Sequence, residues 1–189
     1  ARIRDAVDLS IRQLRDGVLY MTNNSLQFDR AALYRWSADQ RSYLASVPLG
    51  DPPADFDVCS GSHRAVVGYR WDHGGTIRTI DLDAAEPAQE TLALLPWDVQ
   101  AIACAGPRVV AGGEKHLAVL DAEGNVLDEV ADDALQVVWN PATGRVYYRS
   151  QLQLQSRELL PDGKLGERSA VTVPPSGSLQ SVVSPDGTK

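Results

Sequence analysis

The chain has 189 residues, 43% of them hydrophobic and 23% charged, a balance typical of a folded domain with a continuous core rather than of a disordered segment. Its formal net charge is −7, with 25 acidic residues against 18 basic ones, so the summed field repels a phosphate backbone and we expect no nucleic-acid partner. No apolar run approaches the roughly 18 to 20 residues that cross a bilayer, so we also expect no membrane contact by this segment.

A sequence motif that consists of an apolar strand, a polar turn and a second apolar run occurs four times. The residues at equivalent positions of the four copies are Cys59, Cys104, Trp139 and Val183. These positions are 45, 35 and 44 residues apart. A period of about 40 to 45 residues made of short strands and turns is typical of a β-propeller blade. The sequence therefore predicts an all-β fold. We expect a propeller segment of about four blades, each a four-stranded antiparallel sheet, in an incomplete ring.

Residues 1–53 are predicted to form the first blade together with an entering strand. The apolar residues of the opening segment fit either a strand or a short helix, and we favour the strand because no helical period continues after Val7. The second and third strands are expected at 17–21 and 32–36. The outer strand is expected at 43–47.

Residues 54–97 are predicted to form the second blade, with strands at 58–59, 65–67, 76–80 and 91–95. Residues 98–132 are predicted to form the third blade, with strands at 100–104, 108–111, 117–120 and 126–130. Gly106 and Pro107 supply the first turn of the third blade, because proline fixes φ and glycine permits positive φ. If the backbone at Gly112 also needs positive φ, its replacement by valine is expected to destabilise this blade.

Residues 133–175 are predicted to form the fourth blade, with strands at 135–139, 145–148, 152–159 and 169–173 and a turn at 161–164. Residues 176–189 are predicted to begin a further blade. A repeat array needs a closed ring or a capping unit to cover its terminal faces, so we expect an excerpt of a longer propeller. Two alternatives stay open: residues 1–10 pair with the final strand to close a small ring, or two copies meet to form a larger one.

The last repeat carries the turn Ser184-Pro185-Asp186-Gly187, which resembles the turn of TolB-like and WD40-like β-propeller repeats. Residues 138–147 are similar to a diverged copy of that turn, whereas the units of Cys59 and Cys104 lack it and are assigned by period alone. The resemblance implies three kinds of role: a periplasmic scaffold, a sensor module of an inner-membrane bacterial regulator, or a gating domain of a prolyl-oligopeptidase-like enzyme. Fold does not choose among them.

Two groups of residues have the composition of a reactive site. Ser60-Gly61-Ser62-His63 places hydroxyls beside an imidazole, but no nucleophile elbow or distant acid completes a triad, so a turn is the better interpretation. Cys59, His63, Cys104 and His116 have zinc-ligand chemistry, but they lack zinc-ligand spacing. We therefore expect no catalytic residue, no metal ligand and no cofactor in this chain.

Cys59 and Cys104 are predicted to be buried free thiols. If they occupy equivalent positions in successive blades, their side chains point in the same rotational sense and do not face each other, whereas a disulfide needs converging Cβ atoms about 4 Å apart. A disulfide would mean that the repeat alignment is off by a residue or more.

Two side-chain sets are given structural interpretations. The aromatic residues are spread at one or two per repeat, which favours packing between blades over ligand binding. The local acidic concentration is interpreted as solvated turn residues rather than a calcium site, because its spacing matches no calcium loop. The aromatic set is Tyr34, Trp36, Tyr69, Trp71, Trp97, Trp139, Tyr147 and Tyr148, and the acidic set is Asp51, Asp55, Asp57, Asp72, Asp81 and Asp83.

The sequence thus predicts a non-catalytic binding or sensing scaffold, with a protein or small ligand at the propeller rim or channel. The finer expectation is a periplasmic or otherwise extracytoplasmic module of a bacterial regulator or envelope protein. The alternative is the gating propeller of a prolyl-oligopeptidase-like serine peptidase whose catalytic domain lies outside this chain. In either case the missing blades of the parent chain, or a second copy, are expected partners.

Overall fold

The computed structural model describes residues 9–23, 31–70, 74–150 and 153–171, which form strands, turns and linkers without a helix. The strands pair antiparallel in four separate sheets, so the all-β prediction is confirmed. Trp71, Asp72 and the predicted further blade at 176–189 lie outside the described residues. Within the described ranges, no helix has the length and apolarity that a membrane span requires.

The first two sheets lie between residues 9 and 95, and each follows a simple up-and-down order. In the first sheet the outermost position is shared by two short strands, both paired with β3. The first sheet contains β1 (Leu9–Arg15), β2 (Val18–Asn23), β3 (Ala31–Ser37), β4 (Ser42–Tyr43) and β5 (Val47–Gly50). The second sheet contains β6 (Asp55–Cys59), β7 (Arg64–Tyr69), β8 (Gly75–Asp81) and β9 (Gln89–Leu95).

The third and fourth sheets repeat the same four-stranded order between residues 101 and 170. The predicted turn at 161–164 is confirmed, because the Leu160 amide donates to the Lys164 carbonyl and the Gly163 amide to the Leu160 carbonyl. The third sheet contains β10 (Ala101–Ala105), β11 (Arg108–Gly113), β12 (His116–Leu120) and β13 (Val126–Val130). The fourth contains β14 (Gln136–Asn140), β15 (Arg145–Arg149), β16 (Leu154–Glu158) and β17 (Ser169–Ala170).

Two predictions concern the first sheet: a strand at the start of the chain and an outer strand at 43–47. Of the opening segment, residues 1–8 lie outside the described residues, whereas Leu9 and Ser10 begin the strand Leu9–Arg15. The single outer strand predicted at 43–47 is wrong, because residues 44–46 lie between β4 and β5. The Arg35 guanidinium accounts for the break between β4 and β5. Its Nε and Nη2 donate to the Ala45 carbonyl at 3.0 and 2.8 Å, and the Ala45 carbonyl therefore accepts hydrogen bonds from this side chain instead of from a neighbouring strand.

The sheets pack face to face in chain order, with an apolar cluster between each neighbouring pair. The alternation of side chains along each strand sends one set to the preceding sheet and the other set to the next. Ile77, Val109 and Leu120 are fully buried between the second and third sheets, and burial of each stabilises the fold by about 1.5 to 3 kcal/mol. The first strands of successive sheets, β1, β6, β10 and β14, lie beside one another. The described residues thus form an open, propeller-like array.

The two cysteines form a disulfide between the second and third sheets, with their Cα atoms 5.1 Å apart, so the prediction of free thiols is wrong. Cys59 belongs to the last pair of the β6–β7 hairpin, opposite Arg64, whereas Cys104 lies one residue before the last pair of β10–β11, opposite Val109. A shift of one residue turns a side chain to the other face of a sheet. Cys59 therefore faces the third sheet and Cys104 faces the second.

Gly112 is required for close packing and not for positive φ. It lies within β11 and is absent from the residues with positive φ. A Cβ at this position would lie 2.8 Å from Cγ2 of Val137 and 2.9 Å from Cβ of Ala134, and closer still to the Ala134 carbonyl oxygen. The backbone of the third sheet therefore approaches the linker to the fourth sheet closely enough to exclude any side chain.

Candidate functional site

One edge of the array, here called the linker edge, carries the connections between successive sheets. Since each sheet has four antiparallel strands, the turns between second and third strands lie on the same edge as the linkers. Backbone hydrogen bonds tie the two together: the Gln100 amide donates to the Gly112 carbonyl at 2.8 Å, and the Ala134 amide donates to the Gly113 carbonyl at 3.0 Å. Residues from different parts of the chain therefore meet at this edge on fixed backbone.

A cleft of about 190 Å³ opens at the linker edge between the third and fourth sheets. Its walls come from the β11–β12 turn, the linker between the two sheets, the residue that follows β15, the strand β16 and the segment before β17. Most of the lining side chains are charged or form hydrogen bonds. The lining residues are Lys115, Ala131, Asp132, Asp133, Ser150, Gln155 and Arg168.

Asp132 is the buried centre of this cleft, with only 4% of its side chain exposed. Its Oδ2 accepts a hydrogen bond from the Tyr148 hydroxyl at 2.6 Å and another from Nε of Arg157 at 2.8 Å. Its Oδ1 accepts one from Nη1 of Arg168 at 3.1 Å. Arg157 also donates to the Gly166 carbonyl at 2.6 Å. These bonds fix Asp132, Arg157 and Tyr148 as one rigid polar group under the cleft.

The charges of this group shift the pKa values of its members in opposite directions. Burial acts to raise the pKa of Asp132, but hydrogen bonds from Tyr148 and Arg157 outweigh it, so this pKa lies below its ordinary value. Burial, reinforced by the hydrogen bond to Asp132, raises the pKa of Tyr148. Asp132 is therefore a carboxylate at neutral pH. Tyr148 stays protonated, and its hydroxyl donates a hydrogen bond to Asp132.

Lys115 lies at the mouth of the cleft in an unusual backbone conformation, with φ +61°. Residues other than glycine, asparagine and aspartate adopt this left-handed region at a cost. The Asp133 carboxylate accepts the Lys115 backbone N–H at 2.8 Å and so holds the turn in place. The Lys115 side chain itself is exposed and forms no ion pair with any described residue.

A second polar group lies among the first strands of the sheets, away from the cleft. Oδ2 of Asp55 accepts the Ile102 N–H at 3.0 Å, and Oδ2 of Asp57 accepts the Cys104 N–H at 2.7 Å. Gln13 donates to the other oxygen of Asp57 and accepts the Val58 N–H at 2.9 Å. These side chains join β1, β6 and β10 by hydrogen bonds.

The interpretation of Asp55 and Asp57 as solvated turn residues is therefore wrong. Both lie on β6, and Asp57 is only 8% exposed. Burial raises the pKa of Asp57, although hydrogen bonds from Cys104 and Gln13 act in the other direction. Among the other acidic residues of that set, Asp81 accepts the Asp83 N–H at 2.9 Å in an exposed turn.

The Ser60–His63 segment forms the β6–β7 turn, as the structural interpretation predicts. Nδ1 of His63 lies 2.9 Å from Oδ1 of Asp83, and both side chains are more than half exposed. The hydrogen bond to Asp83 raises the pKa of His63. No serine among the described residues hydrogen-bonds to His63, so the structure brings together a histidine and an acid without a nucleophile.

The four residues with zinc-ligand chemistry do not meet at one point. Cys59 and Cys104 are bonded to each other, His63 contacts Asp83, and Nδ1 of His116 lies 2.7 Å from Glu129. In the parts of the chain that are described, no three His, Cys, Asp or Glu side chains are grouped so that they could hold a metal ion.

Several members of the aromatic set pack between sheets, as predicted. Tyr69, Trp97, Trp139 and Tyr148 belong to or pack against the three apolar clusters. The Trp97 ring stacks on His116 with centroids 4.8 Å apart, although its buried indole N–H has no hydrogen-bond partner among the residues that the structure describes. The Tyr69 hydroxyl donates to the Gln89 side chain, which links the second sheet to β5 because Gln89 also donates to the Leu49 carbonyl at 3.0 Å.

The sequence did not predict that the cleft residues form a site. Lys115, Asp132 and Arg168 belong to no motif, and they are separated by up to 53 positions in the chain. Two signals were available: Asp132-Asp133 directly follows the last strand of the third repeat, and Lys115 occupies a two-residue turn that would favour glycine or asparagine. Neither signal indicates which residues of the fourth repeat lie opposite.

Comparison with known proteins finds similar folds but no family. No protein-family model matches the sequence, and no curated protein matches it. A chain of a mitotic checkpoint complex is 16% identical with a TM-score of 0.68, and the match covers 95% of this chain and 58% of that one. Kuenenia stuttgartiensis hydrazine synthase is 15% identical with a TM-score of 0.58, and the match covers 79% of this chain and 50% of that one.

A functionally unknown protein from Desulfotomaculum acetoxidans DSM 771 is also similar, at 15% identity and a TM-score of 0.56, over 72% of this chain and 47% of that one. This chain thus spans about half the length of the three solved chains. At such low identity the likeness shows the fold alone. The chain is an all-β, propeller-like array of four antiparallel sheets.

Proposed function

We propose that this chain is a non-catalytic binding scaffold that presents the cleft between its third and fourth sheets to a protein or small ligand. The apolar clusters and the hydrogen bonds of Asp132 hold the cleft walls in fixed positions. Binding modules commonly place recognition residues on loops supported by a rigid frame. The observation that carries the proposal is this cleft, whose polar side chains converge from two sheets.

The compartment and biological setting are proposed from the disulfide and from resemblance. A buried disulfide persists in oxidising compartments and is rare in reducing ones, which supports a periplasmic or otherwise extracytoplasmic location. The sequence motif Ser184-Pro185-Asp186-Gly187 supports a TolB-like or WD40-like propeller module of a bacterial regulator or envelope protein. One structural neighbour belongs to a protein complex, which supports a protein as partner.

The test compares binding with turnover in one preparation. The protein is secreted to an oxidising compartment and purified without reductant, then assayed against a broad panel of peptides and metabolites by calorimetry. The same panel, together with chromogenic esters and peptide anilides, is assayed for hydrolysis. We expect saturable binding of at least one ligand and no product above the buffer rate.

Two outcomes contradict the proposal. Hydrolysis that is lost on His63→Ala replacement would identify a catalytic role for the exposed histidine and acid pair. The absence of saturable binding by a protein whose fold is verified by circular dichroism would show that the cleft is a packing feature only.

A further inference from the structure

The charged side chains that line the cleft are balanced, with Lys115 and Arg168 against Asp132 and Asp133. Arg157 lies beneath the cleft and also donates to Asp132, so two guanidinium groups share this one carboxylate. Lys115 is the lining cation that forms no ion pair with a described residue, and its ammonium group is therefore available to an anionic ligand.

The hydrogen-bonding capacity of the cleft also favours an acceptor. Asp132 already accepts bonds from Tyr148, Arg157 and Arg168. The Arg168 side chain is 55% exposed, and only its Nη1 donates to a described residue, so its remaining N–H groups have no partner in the described part of the chain. The Lys115 ammonium likewise contacts no carboxylate of the described residues. Donors from two sheets therefore line one cleft.

We propose that this cleft binds a carboxylate group, held between the Lys115 ammonium and the free edge of the Arg168 guanidinium. Arginine binds carboxylates in a planar, bidentate geometry, and lysine adds a point charge. The volume of about 190 Å³ accommodates a carboxylate and a few adjoining atoms rather than a large ligand. Asp132 and Asp133 disfavour a phosphate, because a second negative charge on the ligand would add to the repulsion from these two carboxylates.

The backbone of Lys115 holds this residue in place at the cleft. Its φ of +61° would be adopted more easily by glycine or asparagine, and the fold offsets the cost with a hydrogen bond from its N–H to Asp133. Asp16, Arg41 and His63 also have positive φ, so the conformation alone does not mark a site. What the turn contributes is a fixed backbone position for the ammonium-bearing residue.

This inference rests on the proposed binding function and specifies the chemistry of the ligand. Two sources supply the same group: an acidic side chain of a peptide, or a small organic acid. The test uses matched pairs that differ only in charge, namely propionate against propionamide, and acetyl-Gly-Gly-Glu-amide against its Gln counterpart. Inorganic phosphate is the fifth probe, and calorimetry on the oxidised full chain is the readout.

We expect one acid to bind at least tenfold more tightly than its amide, with an affinity that falls as salt is added. The pair that shows the difference identifies the source. Lys115→Asn should reduce that affinity tenfold or more while leaving the melting temperature equal or higher, since asparagine tolerates positive φ. Lys115→Arg should restore most of the binding. Lys164→Asn, at an exposed turn on the outer part of the fourth sheet, should change nothing.

Three results overturn the inference. Equal binding of acid and amide would remove the charge requirement, and tighter binding of phosphate would assign a different anion. Unchanged affinity in Lys115→Asn would place the carboxylate elsewhere. If other members of the broad panel still bind in these cases, the scaffold function stands and only the carboxylate assignment fails. If nothing binds to the folded protein, both fail.

Discussion

The carboxyl group of Asp57 is buried in the fold and accepts hydrogen bonds mainly from amide groups. Its partners are the Cys104 backbone N–H and the Gln13 side chain, which tie it to the strands on either side. Because burial raises its pKa above the ordinary value of 3.8, the folded state holds the proton more tightly than the unfolded state does. The contribution of Asp57 to stability is therefore greatest below pH 3.8 and is lost as the pH rises through the raised pKa.

The variant Asp57→Asn should remove this pH dependence, because asparagine keeps an oxygen for the Cys104 N–H and does not titrate. Between about pH 3 and about pH 7, the free energy of unfolding of the wild type should fall relative to that of the variant. Urea unfolding at several pH values measures the difference. Glu123→Gln, at an exposed turn, should leave the profile of the wild type unchanged.

Parallel pH profiles for the wild type and Asp57→Asn would contradict the assignment of Asp57 as a buried acid. The comparison isolates this residue because other groups titrate equally in both proteins.

Gly112 gives a second prediction at the scale of one residue. A methyl group there would contact Val137 Cγ2 and Ala134 Cβ at 2.8 and 2.9 Å, so Gly112→Ala should cost about 3 kcal/mol by overpacking. Gly61 provides the control, since its φ is +80° but open space surrounds it. Gly61→Ala should cost only about 1 kcal/mol, from backbone conformation. A larger loss in the control, measured by urea unfolding, would show that close approach is not the reason for glycine at position 112.

The disulfide acts at the scale of elements, since it joins the first strands of two neighbouring sheets, β6 and β10. It closes a loop across a separation of 45 residues. A cross-link over that length should stabilise the fold by about 4 kcal/mol, because it lowers the conformational entropy of the unfolded chain. The double variant Cys59→Ala/Cys104→Ala should therefore lose about 4 kcal/mol in urea unfolding without reductant.

Reduction of the wild type is the matched control for this variant and should produce a loss of similar size. A double variant that is as stable as the oxidised wild type would show that the disulfide contributes little to the fold.

The same elements show which parts of the fold were predictable. Alternating apolar residues between turns with Gly, Pro or Asp predicted strands such as β8, β12 and β13, because both signals are local. The pairing of the cysteines was not predictable by aligning repeats, because the first turns of the two sheets differ in length. The β6–β7 turn has four residues, between Cys59 and Arg64, whereas the β10–β11 turn has two. This difference in turn length moves the equivalent position by one residue, from Cys104 to Ala105.

At the scale of the whole molecule, the candidate site depends on the stacking of sheets rather than on any one repeat. Lys115 reaches the cleft from the third sheet, Asp133 from the linker, and Gln155 and Arg168 from the fourth sheet. Sequence predicted an all-β propeller segment of about four antiparallel sheets. It did not predict their facing residues, because the register between two packed sheets is set by side-chain contacts that leave no local pattern.

Consecutive sheets face one another with their first strands side by side, and peptide mapping without reduction can test this arrangement. The wild type, secreted to an oxidising compartment, is compared with Cys104→Ala/Ala105→Cys, which moves the thiol by one residue toward the fourth sheet. We expect a quantitative disulfide link between the peptides of residues 59 and 104 in the wild type, and two free thiols in the folded variant. Equal disulfide formation in both proteins would contradict the register and, with it, the stacking of the sheets.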